Sequence, residues 1–274
     1  MPWTKDHIPW LTKTGESLKS SDGKPIEIWE FKHQADTKIL TSWAKHFRNH
    51  YCLDDHIDIL RKGTGMSRSE FLNNIKFPDG PGGNKIGPGI RSGDFGEILI
   101  SDYLQYILSF WVPRTTRYSD KNIRNESEKG CDIIGFKMLK SKESPSDALA
   151  VFEAKAQFSG RKANPRLQDA VDGSAKDWIR LAESLSAIKQ RLLEQQKLQE
   201  ADTVERFQNF NDRPYKPMWG AAALFDTSVY DPEIISKTST KSHPAAKNVA
   251  LVVIRGESMM PLVHQLYERA ANEA

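Results

Sequence analysis

The stretch VFEAKAQF, Val151 to Phe158, sets a carboxylate and an ammonium one residue apart at the end of an apolar run. With ALA ahead of it, the run reads as a strand buried on both faces, and such a strand does not carry two charges at its end without a use for them. Either Glu153 and Lys155 are a solvated salt pair, or they are half of a metal-dependent active site. The triplet Glu-x-Lys decides nothing alone. With Glu and Lys each near one residue in fifteen, about one such triplet arises by chance in a chain of this size. The sequence has two, Glu30-Phe31-Lys32 and Glu153-Ala154-Lys155.

Their surroundings separate them. Glu30 ends IEIWEF, which alternates like a half-exposed strand whose charged side chains face water, and no earlier strand offers it a second carboxylate. Glu153 ends a continuous apolar run, and Asp132 opens the strand just before it, CDIIGF. A hairpin turning at KSKESPSD brings Asp132 and Glu153 side by side. Two carboxylates on adjacent strands repel unless a cation lies between them, and oxygen ligands suit magnesium or manganese. Lys155 points to the same face as Glu153, where an ammonium can orient a water or stabilise charge developing on phosphate. Glu97 sits among the apolar positions of FGEILISDYLQYILSF, where a carboxylate needs a partner. Each residue has a plainer use: a pair at a strand end, a turn cap, a side chain reaching solvent. Together, the three acids and the lysine form a reasonable phosphodiester-hydrolysis site with Glu97, Asp132 and Glu153 as metal ligands.

Outward from the site, the order of elements predicts an α/β fold with helices on a mixed sheet. Asp94 can cap a helix through FGEILISDYLQYILSF. After the hairpin comes a long helix with Trp178, Leu181, Leu185, Ile188 and Leu192 as its core-facing seam, and QQKLQEAD continues it as a polar end open to solvent or a partner. WGAAALFD and NVALVVI are buried-type strands, and a helix with Met259, Leu262, Val263, Leu266 and Tyr267 follows. Residues 1–90 read as an N-terminal accessory α+β region for partner docking, and 91–274 as the catalytic domain. The division rests on FPDGPGGNKIGPGIRSG, which is too rich in Gly and Pro for a helix or a central strand.

Composition narrows the function classes. The glycines of that stretch match neither GxxxxGK[ST] nor GxGxxG, so no nucleotide cofactor is expected on this chain. His46 and His50, with Cys52 and His56 beyond, have conceivable metal spacing, but Phe47 and Tyr51 explain the segment as an amphipathic helix. Two cysteines give no disulfide framework, and no apolar run is long enough to cross a bilayer, so a cytoplasmic protein is expected. The net charge of +3 permits nucleic-acid binding without arguing for it. Around the Glu-x-Lys strand, Arg161, Lys162 and Arg166 form an acid-free patch able to hold a phosphate backbone.

These residues resemble the PD-(D/E)xK, or restriction-endonuclease-like, superfamily from about Gly93 to Arg255, through motifs that are short and individually unspecific. Glu97 matches its helix glutamate, Asp132 its strand acid, and Glu153 with Lys155 its Glu-x-Lys pair. The Gln-x-x-x-Tyr motif of RecB-like relatives is missing, since Gln168 is followed four residues on by Asp172. RSGDFGEIL, RNESEKGCDIIGF, VFEAKAQF and the MMPLVHQLY helix resemble, more narrowly, the HamA family, nuclease subunits of the Hachiman antiphage defence system. That resemblance implies a metal-dependent DNA nuclease working with a helicase partner, HamB, that supplies the ATP motor. A non-cleaving binding module on the same fold, or a stand-alone restriction endonuclease, stays open as an alternative.

Overall fold

The protein is described by a computed structural model covering residues 2–119, 121, 123–140 and 142–274. Its strands are β1 (Leu11–Lys13), β2 (Leu18–Lys19), β3 (Pro25–Phe31), β4 (Ile133–Lys137), β5 (Ala148–Gln157), β6 (Lys216–Asp226) and β7 (Val249–Gly256). The helices are α1 (Thr37–Tyr51), α2 (Asp54–Arg61), α3 (Arg68–Phe71), α4 (Gly87–Asp102), α5 (Arg166–Glu194), α6 (Leu198–Arg206), α7 (Pro232–Ser236) and α8 (Met259–Asn272).

Strands β3, β7, β6 and β5 run parallel in that order, and β4 closes one edge antiparallel to β5. β1 and β2 pair antiparallel with β3 at the other edge. The continuous apolar runs of β5, β6 and β7 are explained by layers on both faces. On one face Phe152 and Ala154 of β5 and Leu224 of β6 pack under α1, α4 and α8. On the other, Leu149 and Val151 of β5 and Ala223 of β6 pack under α5 and α6. The alternation then puts Glu153 and Lys155 on the α5 side. The fold is the expected α/β arrangement of a mixed sheet between helices. The expected hairpin joins β4 to β5, although Ser141 within its turn lies outside the described residues. Residues 1–90 put β3 beside β7, and Trp43 and Phe47 of α1 share a core with Leu266 and Tyr267 of α8.

Three local expectations are corrected. Helix α4 begins at Gly87 rather than after Asp94, so part of the Gly/Pro stretch is helical. Pro88 sits in the first turn, where its missing N–H costs nothing. Gly96 lets the helix approach the sheet, where an added Cβ would stand 3.3 Å from Leu224 and 3.4 Å from Ala156. Asp94 is therefore mid-helix and buried, accepting hydrogen bonds from Tyr51 Oη at 2.7 Å and Lys121 Nζ at 3.0 Å. The seam of α5 is buried at Leu185 and Leu192, but Trp178 is 48% exposed and lies over Trp219. The polar continuation does not project: the chain turns after Glu194, and α6 packs back through Ala201 and Val204. Among the described residues no helix is long and apolar enough to cross a membrane.

Candidate active site

Register sets the first pair. Ile133 of β4 lies opposite Phe152 of β5, so Asp132, one residue before β4, falls beside Glu153. Asp132 Oδ2 accepts the Ala154 N–H at 3.3 Å, and the two carboxyl groups lie within hydrogen-bond reach of each other. Burial, then the like charge of Glu153, pushes Asp132 up to about 7. A proton held on Asp132 and shared with Glu153 relieves that repulsion. Burial also raises Glu153, against the opposing effect of Lys155. Lys155 Nζ donates to Glu153 Oε1 and remains 36% exposed to the cleft. Burial works against its ammonium, but Asp132 and Glu153 outweigh that and hold it above its ordinary value.

Glu97 reaches the same place from α4, across the end of the sheet. The four predicted residues Glu97, Asp132, Glu153 and Lys155 line one cleft of about 710 Å³. Gly89 and Gly93, two turns and one turn before Glu97, line it too, and nothing lies within 4 Å of where their side chains would be. Helix backbone is thus bare along that wall. Of the predicted phosphate-holding residues, Arg166 lines the cleft and bonds Asp169 at 3.0 Å, while Arg161 and Lys162 are exposed beyond its rim. Lys129 and Arg180, which the sequence reading passed over, complete its cationic lining.

The loop from α4 to β4 supplies residues that no periodicity signals. Arg117 donates from Nε to Glu97 Oε2 at 2.7 Å, from Nη2 to Asp132 Oδ1 at 2.8 Å, and from Nη1 to the Cys131 carbonyl at 2.9 Å. Tyr118 Oη donates to Glu97 Oε2 as well, and burial and Glu97 keep that phenol protonated. The same loop pairs Lys121 with Asp94 at 3.0 Å and Arg124 with Asp79 at 2.7 Å. At its start Arg114 meets Asp102 at 2.6 Å. A row of cations spaced three or four residues apart thus answers a row of acids. The one signal in the sequence is that spacing, in a segment with no apolar pattern to go with it.

The histidines reach a different end. His46 and His50 are buried around Asp102 and Arg114, with His7 Nε2 at 2.9 Å and His46 Nε2 at 3.3 Å from the Asp102 carboxylate. His56 is exposed, and the Cys52 thiol points at the Leu53 carbonyl. The four do not converge on a metal.

Among the described residues no three His, Cys, Asp or Glu side chains stand close enough to hold a metal ion together. Asp132 and Glu153 nonetheless fit a hard divalent cation: they are adjacent oxygen donors, both driven toward the protonated form by burial. Glu97 differs, because the Arg117 guanidinium stands between it and Asp132 and supplies the charge there.

Residues 6–270 match the HamA family, and the chain belongs to that family. No curated protein sequence matches it.

Proposed function

We propose that this HamA-family chain is a magnesium- or manganese-dependent deoxyribonuclease, the effector of an antiphage defence complex in the cytoplasm whose partner is a helicase. Membership of the family supports the defence role. The observation that carries the chemistry is the convergence of Asp132, Glu153 and Lys155 from two hydrogen-bonded strands at a cleft that Lys129, Arg166 and Arg180 line together with Glu128 and Glu183. Asp132 and Glu153 would hold the cation, with Glu97 as the helix-side carboxylate once Arg117 turns away. A divalent ion there would supply charge neutralisation at the scissile phosphate and polarise a water for attack.

The chain's own groups do the rest. The Lys155 ammonium, charged and facing the cleft, orients the attacking water and offsets charge on the phosphate in the transition state. Arg166, Arg180 and Lys129 give the strand's phosphates their contacts, and the bare Gly89–Gly93 wall admits the backbone closely. These are few contacts, so binding by the lone chain is weak at physiological salt and an ATP-driven partner governs access.

The test is plasmid cleavage by the chain, by a candidate helicase partner, and by the two together, with and without Mg²⁺ and ATP. Expected is cleavage that needs Mg²⁺ or Mn²⁺ and is greatest with the partner, with Ca²⁺ supporting binding but poor turnover. Full activity in excess chelator removes the metal mechanism. Tight DNA binding and cleavage indifferent to helicase and ATP replace the effector reading with a stand-alone nuclease.

A further inference from the structure

Helix α5 carries a buried carboxylate that the four-residue site leaves unused. Asp177 is fully buried, and neither of its carboxylate oxygens has a hydrogen-bond partner of ordinary geometry among the described residues. The Cys131 thiol, a weak donor, is the polar side chain that acts on it as a hydrogen-bond neighbour. An ionisable group left this way costs stability unless something else uses it. Its direction is fixed by its neighbours. Gly173, one turn earlier, lies so close to Glu153 that a Cβ there would stand 2.5 Å from Oε1. Residues four apart share a helix face, so Asp177 is on the side of α5 pressed onto the site. The negative charge of Asp132 acts on Asp177, and that of Asp177 acts on Glu153. The cations nearby do not complete it: Arg117 is committed to Glu97, Asp132 and the Cys131 carbonyl, and Arg180 is exposed in the cleft.

Resting on the nuclease reading of this site, we propose that Asp177 is a positioning residue of the cation site, accepting hydrogen bonds from the water shell of a divalent ion held by Asp132 and Glu153. Direct ligation by all three is not available, since no three such side chains among the described residues stand close enough. Magnesium dehydrates reluctantly and takes one or two carboxylates directly, keeping several waters that need acceptors. A buried carboxylate with no donor stronger than a thiol among the described residues is such an acceptor. Partners of this kind orient an ion's own ligands, and their loss costs affinity as well as rate.

The experiment is calorimetric titration of Mn²⁺ into the full chain without DNA, for wild type, Asp132→Asn, Asp177→Asn and Asp177→Ala. Melting in chelator first establishes that each is folded. Wild type binds Mn²⁺ saturably, Asp132→Asn does not, and Asp177→Asn binds about 10- to 100-fold more weakly. In chelator Asp177→Asn melts at or above the wild-type temperature, because an unpaired buried charge has gone. Wild-type Mn²⁺ affinity in folded Asp177→Asn overturns the proposal while leaving the nuclease reading intact. Failure of both Asp177 variants to fold in chelator overturns it too, making Asp177 a residue of the fold. If wild type itself binds no Mn²⁺, the nuclease reading falls and the proposal with it.

Discussion

Two clusters of buried charge flank the loop from α4 to β4, one around Asp102 and one around Asp132. Asp102 is surrounded by His7, His46 and Arg114, and although burial opposes its charge, those partners hold its carboxyl well below the usual carboxylate range. Asp132 faces Glu153 and Asp177, and burial with too little positive charge pushes it up to about 7. Both sites are desolvated; they differ in how fully the charges are answered, since Asp132 shares a single guanidinium, that of Arg117, with Glu97. The answered cluster pins Trp3–Trp10, α1 and α4 together. The other lies open to a cleft. Perturbation toward the neutral acid, more than burial alone, marks the place where a ligand belongs.

The sharpest way to break this contrast is to remove one side chain from each cluster. Glu153→Ala, Lys155→Ala and Asp132→Ala are each expected to lower cleavage by roughly 10³-fold or more while the protein stays folded. Plasmid cleavage beside melting curves checks this, and a folded Glu153→Ala protein with near-wild-type cleavage sinks the site. Asp102→Ala should do the reverse, leaving Arg114 and the histidines buried without their anion. That costs about 3–5 kcal/mol, read as a fall in melting temperature of about 10 °C.

A pH series sharpens the comparison further. Asp132 holds its proton in the folded chain up to about 7 but releases it near 3.8 once unfolded. Between those values the folded state binds more protons, so this contribution is full only below 3.8 and falls as pH rises toward 7; its last part, about 1 kcal/mol, is lost between pH 6 and pH 8. In chelator, Asp132→Asn should therefore gain on wild type in melting temperature from pH 6 to pH 8. Burial lowers His46 and His50, so their contribution has the opposite sign and is lost as pH falls below 6.5. A constant gap between Asp132→Asn and wild type across pH 6–8 removes the distinction.

Smaller effects lie outside both clusters. Arg161→Ala and Lys162→Ala should each reduce the salt dependence of DNA binding by about one unit of log–log slope, without altering cleavage at saturating DNA. Glu30→Ala, the matching change in the other Glu-x-Lys triplet, should leave cleavage unchanged and stability within about 0.5 kcal/mol. Its Glu30–Lys32 pair is a surface contact at 2.9 Å.

What the sequence revealed followed from regular repeats. Strands β5, β6 and β7 were legible as apolar runs, and the Asp132–Glu153 adjacency followed from the hairpin between two of them. Glu97 stood out as a carboxylate on an apolar face. Arg117, Tyr118 and Asp177 did not, because the first two lie on an irregular loop and the third is one acid among several on a long amphipathic helix. The Gly/Pro stretch misled for a physical reason: its glycines serve close packing and a bare wall within a helix, where local propensity predicts a loop. Parallel pairing of β3 with β7 was equally hidden, since nothing local records a partner more than two hundred residues away.

That pairing also sets a timetable. Ile26 of β3 lies beside Leu251 of β7, so a growing chain must carry an apolar strand without its partner until almost the whole sequence has been made. At about 5–20 residues per second, that interval lasts on the order of ten seconds or more. Contacts so remote in sequence slow folding and leave a strand edge open meanwhile. Strands β4 to β6 and α5 emerge earlier, and β6 waits only for the short segment between Trp219 and its β7 partner Val249. The nascent polypeptide thus gains a closed sheet under Asp132, Glu153 and Lys155 only once β7 has been made.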